Sequence, residues 1–127
     1  MVRSINCPRI ARHRNPIPAA AVHRGLLITS AIIGKEPGTD IYPQSKEKQV
    51  ELVFAYLAEI LQEAGATVQD VVKIDLYLAD KADRVLVNPH WLRLYPDNDK
   101  RPARQAHESI LPAGCCLQLV ATAMLES

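Results

Sequence analysis

The feature that most constrains this chain is a helical apolar stripe followed shortly by a strand-like alternation. Val50, Val53, Phe54, Leu57, Ile60, Leu61 and Ala64 recur at helical spacing from a start near Ser45, as in a helix that buries one face. Gly65 comes next, and glycine ends helices well because it enters the left-handed region without strain. Glu47, Lys48, Glu51, Glu59 and Glu63 fall mainly off the stripe, as a solvated face. Then Val72, Ile74, Leu76 and Leu78 alternate with Lys73, Asp75 and Tyr77, which predicts a strand with one buried face. Upstream, the apolar runs at 19–23 and 26–30 are separated by Arg24-Gly25, the signature of a tight hairpin. Strand, crossover helix and strand together predict two parallel strands in one sheet, with the helix on one face.

The remaining segments fill in around that unit. Residues 2–6 read as a weak edge strand, and 8–18 and 34–43 as loops rich in turn residues. Residues 80–95 form a second helical region broken by Pro89. Proline suits a first helical position and Asn88 suits an N-cap. The spacing therefore predicts a short turn over 81–87 and a helix from Pro89 to Tyr95. Two strands, 103–108 and 116–124, flank a turn containing Pro112 and Gly114. Arg104 sits inside the first of them between small residues, and a guanidinium near a core calls for an anion. The order β-ββ-α-β-α-ββ predicts an α+β fold, a mixed sheet with two helices on one face.

At 127 residues the expectation is a single domain, 1–127. The net charge is +1 with both signs scattered, which gives no basic stripe for nucleic acid and none for a membrane surface. The amino terminus lacks the apolar stretch of a signal peptide, so the expected location is cytoplasmic. Cys7, Cys115 and Cys116 are an odd count that fits a reducing compartment and small apolar packing. His13, His23, His90 and His107 lie far apart, without zinc-ligand spacing, so neither a metal nor any other cofactor is expected.

Pro102-Ala103-Arg104, then Leu111-Pro112-Ala113-Gly114, then the strand Leu117-Gln118-Leu119-Val120-Ala121 resembles the C-terminal signature of the YjgF/RidA family. That resemblance implies a chorismate-mutase-like sandwich, a homotrimer with sites in the clefts between subunits, and hydrolytic deamination of small enamines or imines. It also implies that Arg104 holds a substrate carboxylate, a role suited to a fork of two parallel N–H donors that keeps its charge at any working pH. The alternative for Arg104 is an ion pair with an acid of a neighbouring subunit. Ser30 aligns with a serine lining the family pocket, or is simply bonded to backbone. Asn88 aligns with the family's asparagine, a supporting residue that N-capping alone would explain.

Three positions depart from the family pattern. Gln118 stands where the family's deaminases carry a glutamate, and an amide orients water but cannot take its proton. Ile17 replaces a pocket tyrosine, and Ala106 replaces a cysteine. Glu108 shares a strand face with Arg104 but lies about 13 Å away along the backbone, and His107 points to the opposite face. The resemblance thus implies a RidA-like deaminase of carboxylate-bearing imines, with no metal or organic cofactor. The alternatives are a non-catalytic trimer binding a small carboxylate metabolite or a partner protein, and a pathway-specific aminomuconate-type deaminase.

Overall fold

The alternating strands of this chain meet in one seven-stranded mixed sheet. The structure is a computed structural model, describing residues 1–11, 13 and 15–126. In chain order the elements are β1 (Arg3–Ile5), β2 (Ala20–His23), β3 (Leu26–Thr29), β4 (Ile32–Ile33), α1 (Lys46–Glu63), β5 (Val71–Leu78), α2 (Arg84–Leu94), β6 (Ala103–Glu108) and β7 (Leu117–Met124). The sheet runs β1-β2-β3-β7-β5-β6, and β4 continues the β3 side of β7. β3 and β5 are both antiparallel to β7. They are therefore parallel to each other, as expected, with β7 between them. The adjacent parallel pair is β5 and β6, joined across α2. β6 and β7, neighbours in sequence, are separated by β5.

Ser45 caps α1, its Oγ accepting from the Lys48 N–H at 3.2 Å. At the other end Gly65 has φ +81°. The N–H of Ala66 donates to the Leu61 carbonyl at 2.8 Å and that of Gly65 to Gln62 at 3.0 Å, the paired bonds of a Schellman end. The β2–β3 hairpin turns through Arg24 at φ 51° and Gly25 at φ 84°, as a tight primed turn requires. The core lies between α1 and one face of the sheet. Leu27, Ile74, Leu76, Leu117 and Leu119 are fully buried there, with Val53, Leu57 and Leu61 from the helix. The opposite face leaves Leu26, Ile28, Val72 and Met124 exposed.

The second helix corrects the expected one. α2 starts at Arg84, behind a 3-10 turn at Lys81–Asp83, and Pro89 lies inside it. Asn88 is therefore mid-helix and no N-cap. The missing proline N–H deprives the Val85 carbonyl of its helical donor, but Val85 is exposed, where solvent can bond that oxygen. Burial of Val87, with Leu86, Trp91 and Leu94 packed against the core, outweighs the local penalty.

A buried side chain that carries no strong sequence signal joins three segments. Gln49 is 2% exposed. Its Nε2 donates to the carbonyls of Pro43 and Gly114, both at 2.8 Å, and its Oε1 accepts from the Cys116 N–H at 3.0 Å. Gly34 permits the approach of the 34–44 loop to α1, since an added Cβ there would stand 2.5 Å from the Gln49 carbonyl oxygen.

Candidate active site

Arg104 stands on β6 opposite Ile74 of β5, hence on the face covered by the helices. α2 packs above it. Nη2 donates to Asn88 Oδ1 at 2.9 Å, and the guanidinium carbon lies 5.1 Å from the centre of the Trp91 ring. Asn88 and Trp91 are three residues apart on one helix, so they present to the same side. The anion that a half-buried guanidinium calls for is missing: both partners are neutral, and no acid lies within ion-pair reach of Arg104 among the described residues. Burial, and after it the nearby Arg84 charge, lowers the Arg104 pKa from its ordinary value. The neighbouring Arg101 is already committed, donating from Nε to the Tyr95 carbonyl at 2.8 Å and from Nη1 to Asn98 Oδ1 at 3.1 Å. Neither arginine has an acid within ion-pair reach among the described residues, but all three Arg101 nitrogens already donate to protein oxygens, whereas Arg104 donates from Nη2 alone.

The other expected site residues are dispersed. Ala106 follows Arg104 on the same face, opposite Leu76, as a small half-buried floor. Gln118 pairs with Tyr77 across β5 and with Ile33 across β4. It points to the face opposite Arg104, so one chain does not bring these two side chains to one ligand. Ser30 donates its hydroxyl hydrogen to the Pro18 carbonyl at 2.8 Å, and its N–H to the Ala19 carbonyl at 2.9 Å. The backbone alternative is what the geometry displays, with only the oxygen's lone pairs left over. Ile17 is 47% exposed and lines a cavity of about 460 Å³ with Cys7, Ile10 and His13. Glu108 accepts from the Lys81 N–H at 3.2 Å, and His107 bonds Asp75 at 3.1 Å on the open face.

The cysteines lie buried and unpaired. Cys115 and Cys116 precede β7 and do not alternate within it. Burial raises both thiols, Cys116 to about 11, so neither is a nucleophile at neutral pH. Two features were not anticipated. Trp91 supplies the aromatic face under Arg104; starting the helix before Asn88 would have put both residues on one stripe. Lys35, with its side chain 8% exposed, donates to Asp40 and sits 5.1 Å from the Tyr42 ring centre. No sequence signal marks a lysine in a loop as buried.

Together these features describe a small α+β protein whose sheet and overlying helix hold one arginine ready for an anion. The family model described as "Endoribonuclease L-PSP" matches residues 13–123. The Arabidopsis thaliana protein named "Reactive Intermediate Deaminase A, chloroplastic" is 31% identical over 87% of this chain, which spans 59% of that relative's length. A Leuconostoc mesenteroides subsp. cremoris protein named "RutC family protein in leuC 5'region" is 31% identical over 86% of this chain and 87% of its own. The crystal structure of RidA from the Antarctic bacterium Psychrobacter sp. superposes with a TM-score of 0.87, at 22% identity over 97% of this chain and 99% of that one. The chain belongs to this family, the YjgF/RidA or endoribonuclease L-PSP family, and has its α+β fold. Among the described residues, no helix is long and apolar enough to cross a membrane.

Proposed function

We propose that this protein is a RidA-like hydrolytic deaminase of small imines or enamines that carry a carboxylate. The observation that carries the reading is the half-buried Arg104 guanidinium with two neutral partners and, among the described residues, no acid within reach. A substrate carboxylate completes its charge, and Asn88 and Trp91 fix the fork beforehand, which lowers the entropy lost on binding. Water adds to the imine carbon, the nitrogen takes up protons, and the C–N bond breaks to leave a 2-oxo acid and ammonia. An enamine first tautomerises to the imine.

Gln118 orients that water. Because it faces away from Arg104 within one chain, a joint site needs Arg104 from one copy and Gln118 from another. That requirement calls for an oligomer with sites between subunits, and the family resemblance implies a homotrimer. Ile17, Ala106 and the lone pairs of Ser30 line the remainder. An amide in place of a carboxylate forgoes a general base, a loss on the order of 10²–10⁴ in rate. The same observation favours a second reading, a non-catalytic trimer that binds a carboxylate metabolite. We place the protein in the cytoplasm, consistent with its unpaired cysteines, with one domain over residues 1–127 and no cofactor.

Release of 2-oxobutyrate from freshly generated 2-iminobutyrate tests the proposal. Wild type accelerates release over buffer, and Arg104→Ala reduces kcat/KM by about 100-fold or more, the scale of losing a charged bidentate contact, while the oligomer persists. Absence of acceleration at any enzyme concentration overturns the deaminase reading for this substrate.

A further inference from the structure

The stripe of α2 that meets Arg104 carries a second guanidinium. Arg84, Asn88 and Trp91 follow at four- and three-residue spacing, one face of a helix. Asn88 and Trp91 both touch Arg104, so this face overlies β6. Arg84 is one turn further towards the helix start, about 6 Å along the axis. As the crossover between parallel β5 and β6, α2 runs opposite to β6. Arg84 therefore lies over the Ala106 end of the strand, and the Lys81 contact with Glu108 marks the same end.

The acids around this strip bond elsewhere, Glu108 and Asp80 only to neutral backbone N–H groups that leave their charge in place. Glu108 accepts from the Lys81 N–H, Asp83 pairs with Lys46 at 2.9 Å, and Asp80 Oδ1 accepts from the Ala82 N–H at 2.9 Å. Neither Arg84 nor Arg104 has an acid within ion-pair reach among the described residues. Arg84 is exposed, and its charge bears on Arg104 strongly enough to lower the latter's pKa further. Two like charges carried on adjacent elements repel each other until an anion enters.

We propose that Arg84 and Arg104 form a two-guanidinium subsite for a dicarboxylate: the imine or enamine of a four- or five-carbon 2-oxo dicarboxylic acid. This rests on the deaminase reading for its chemistry. Arg104 holds the carboxylate next to the imine carbon, and Arg84 holds the distal one. The carboxyl carbons of such a molecule stand roughly 4–5 Å apart on ordinary bond lengths, a span for two flexible arginine stems, one on β6 and one on α2 a turn from Asn88.

Calorimetric titration with the product acids separates this subsite from the reaction. Wild type binds 2-oxoglutarate at least tenfold more tightly than 2-oxobutyrate. Arg84→Gln brings that ratio towards one, and Arg84→Lys restores part of it. Equal affinities in wild type overturn the subsite, as does an Arg84→Gln variant that weakens both ligands in proportion and keeps the ratio. Binding of neither acid overturns the subsite and the carboxylate site together. A retained preference for 2-oxoglutarate without turnover of 2-iminoglutarate sinks the deaminase reading and upholds the dicarboxylate subsite.

Discussion

Two cations withdrawn from water, Lys35 and Arg104, have been treated in opposite ways by this fold. Lys35 in the 34–44 loop is nearly covered and has a carboxylate, Asp40, and an aromatic face, Tyr42. Its own carbonyl accepts from the buried Tyr56 hydroxyl, and the loop is tied to α1 and to the 112–116 turn by Gln49. Arg104 also has an aromatic face, Trp91, but in place of the carboxylate it has an amide oxygen. A charge taken from water with its counter-ion present is part of the scaffold. One whose remaining partners are neutral keeps its field directed at whatever anion arrives. On the proposed function, the difference separates the structural Lys35 from the carboxylate-binding Arg104.

The sharpest test of the scaffold side is Gln49→Leu. It removes three hydrogen bonds and orphans buried groups on two other segments, so we expect a loss of about 3 kcal/mol in unfolding free energy. Denaturant titration reads this directly, and carboxylate binding at Arg104 should survive in the folded fraction. Asn88→Asp attacks the comparison itself, because it gives Arg104 the carboxylate that Lys35 already has. We expect affinity for 2-oxobutyrate to fall at least tenfold while the melting temperature rises slightly. A variant that binds as tightly as wild type would mean that Arg104 is not the anchor.

Asp40→Asn makes the converse change and leaves Lys35 buried without its counter-charge. Breaking a fully buried pair costs about 3–5 kcal/mol. Asp40 is 50% exposed, so solvent screening reduces the expected loss to about 1–2 kcal/mol. The smallest effect belongs to a third cluster, on the open face of the sheet. Burial works to raise the Asp75 carboxyl, but bonds from His107 and Lys73 outweigh it and leave its pKa below the ordinary value. The stability this contributes is present above the unfolded pKa and is lost as pH falls through the folded one. Asp75→Asn should therefore lower stability by under about 1 kcal/mol near neutrality, with the gap to wild type closing in acid. Melting curves across that range measure it.

Much of the architecture could be read from local patterns. The α1 stripe, its Ser45 start and its Gly65 stop appear where periodicity and capping put them, since those features act over a few residues. The α2 start did not, because burial of Val87 and its neighbours overrode the preference of Pro89 for a first turn. That displacement hid the most informative contact in the molecule. Read as an N-cap, Asn88 has its side chain occupied by its own helix; read as mid-helix, it is free to hold Arg104.

By itself the sequence determined six of the seven strands, all but the two-residue β4, together with the long helix and the mixed sheet, and it marked Arg104 as a candidate, each from a period, a cap or a resemblance over a few contiguous residues. Only the tertiary structure decided which partners Arg104 has, that Gln118 points away from it, that Lys35 is neutralised, and that Arg84 lies along the same strip. The reason is physical. Whether a charge is satisfied depends on groups that the folded chain brings together from distant positions, and the counter-charge missing from Arg104 becomes visible only once all its neighbours are in place.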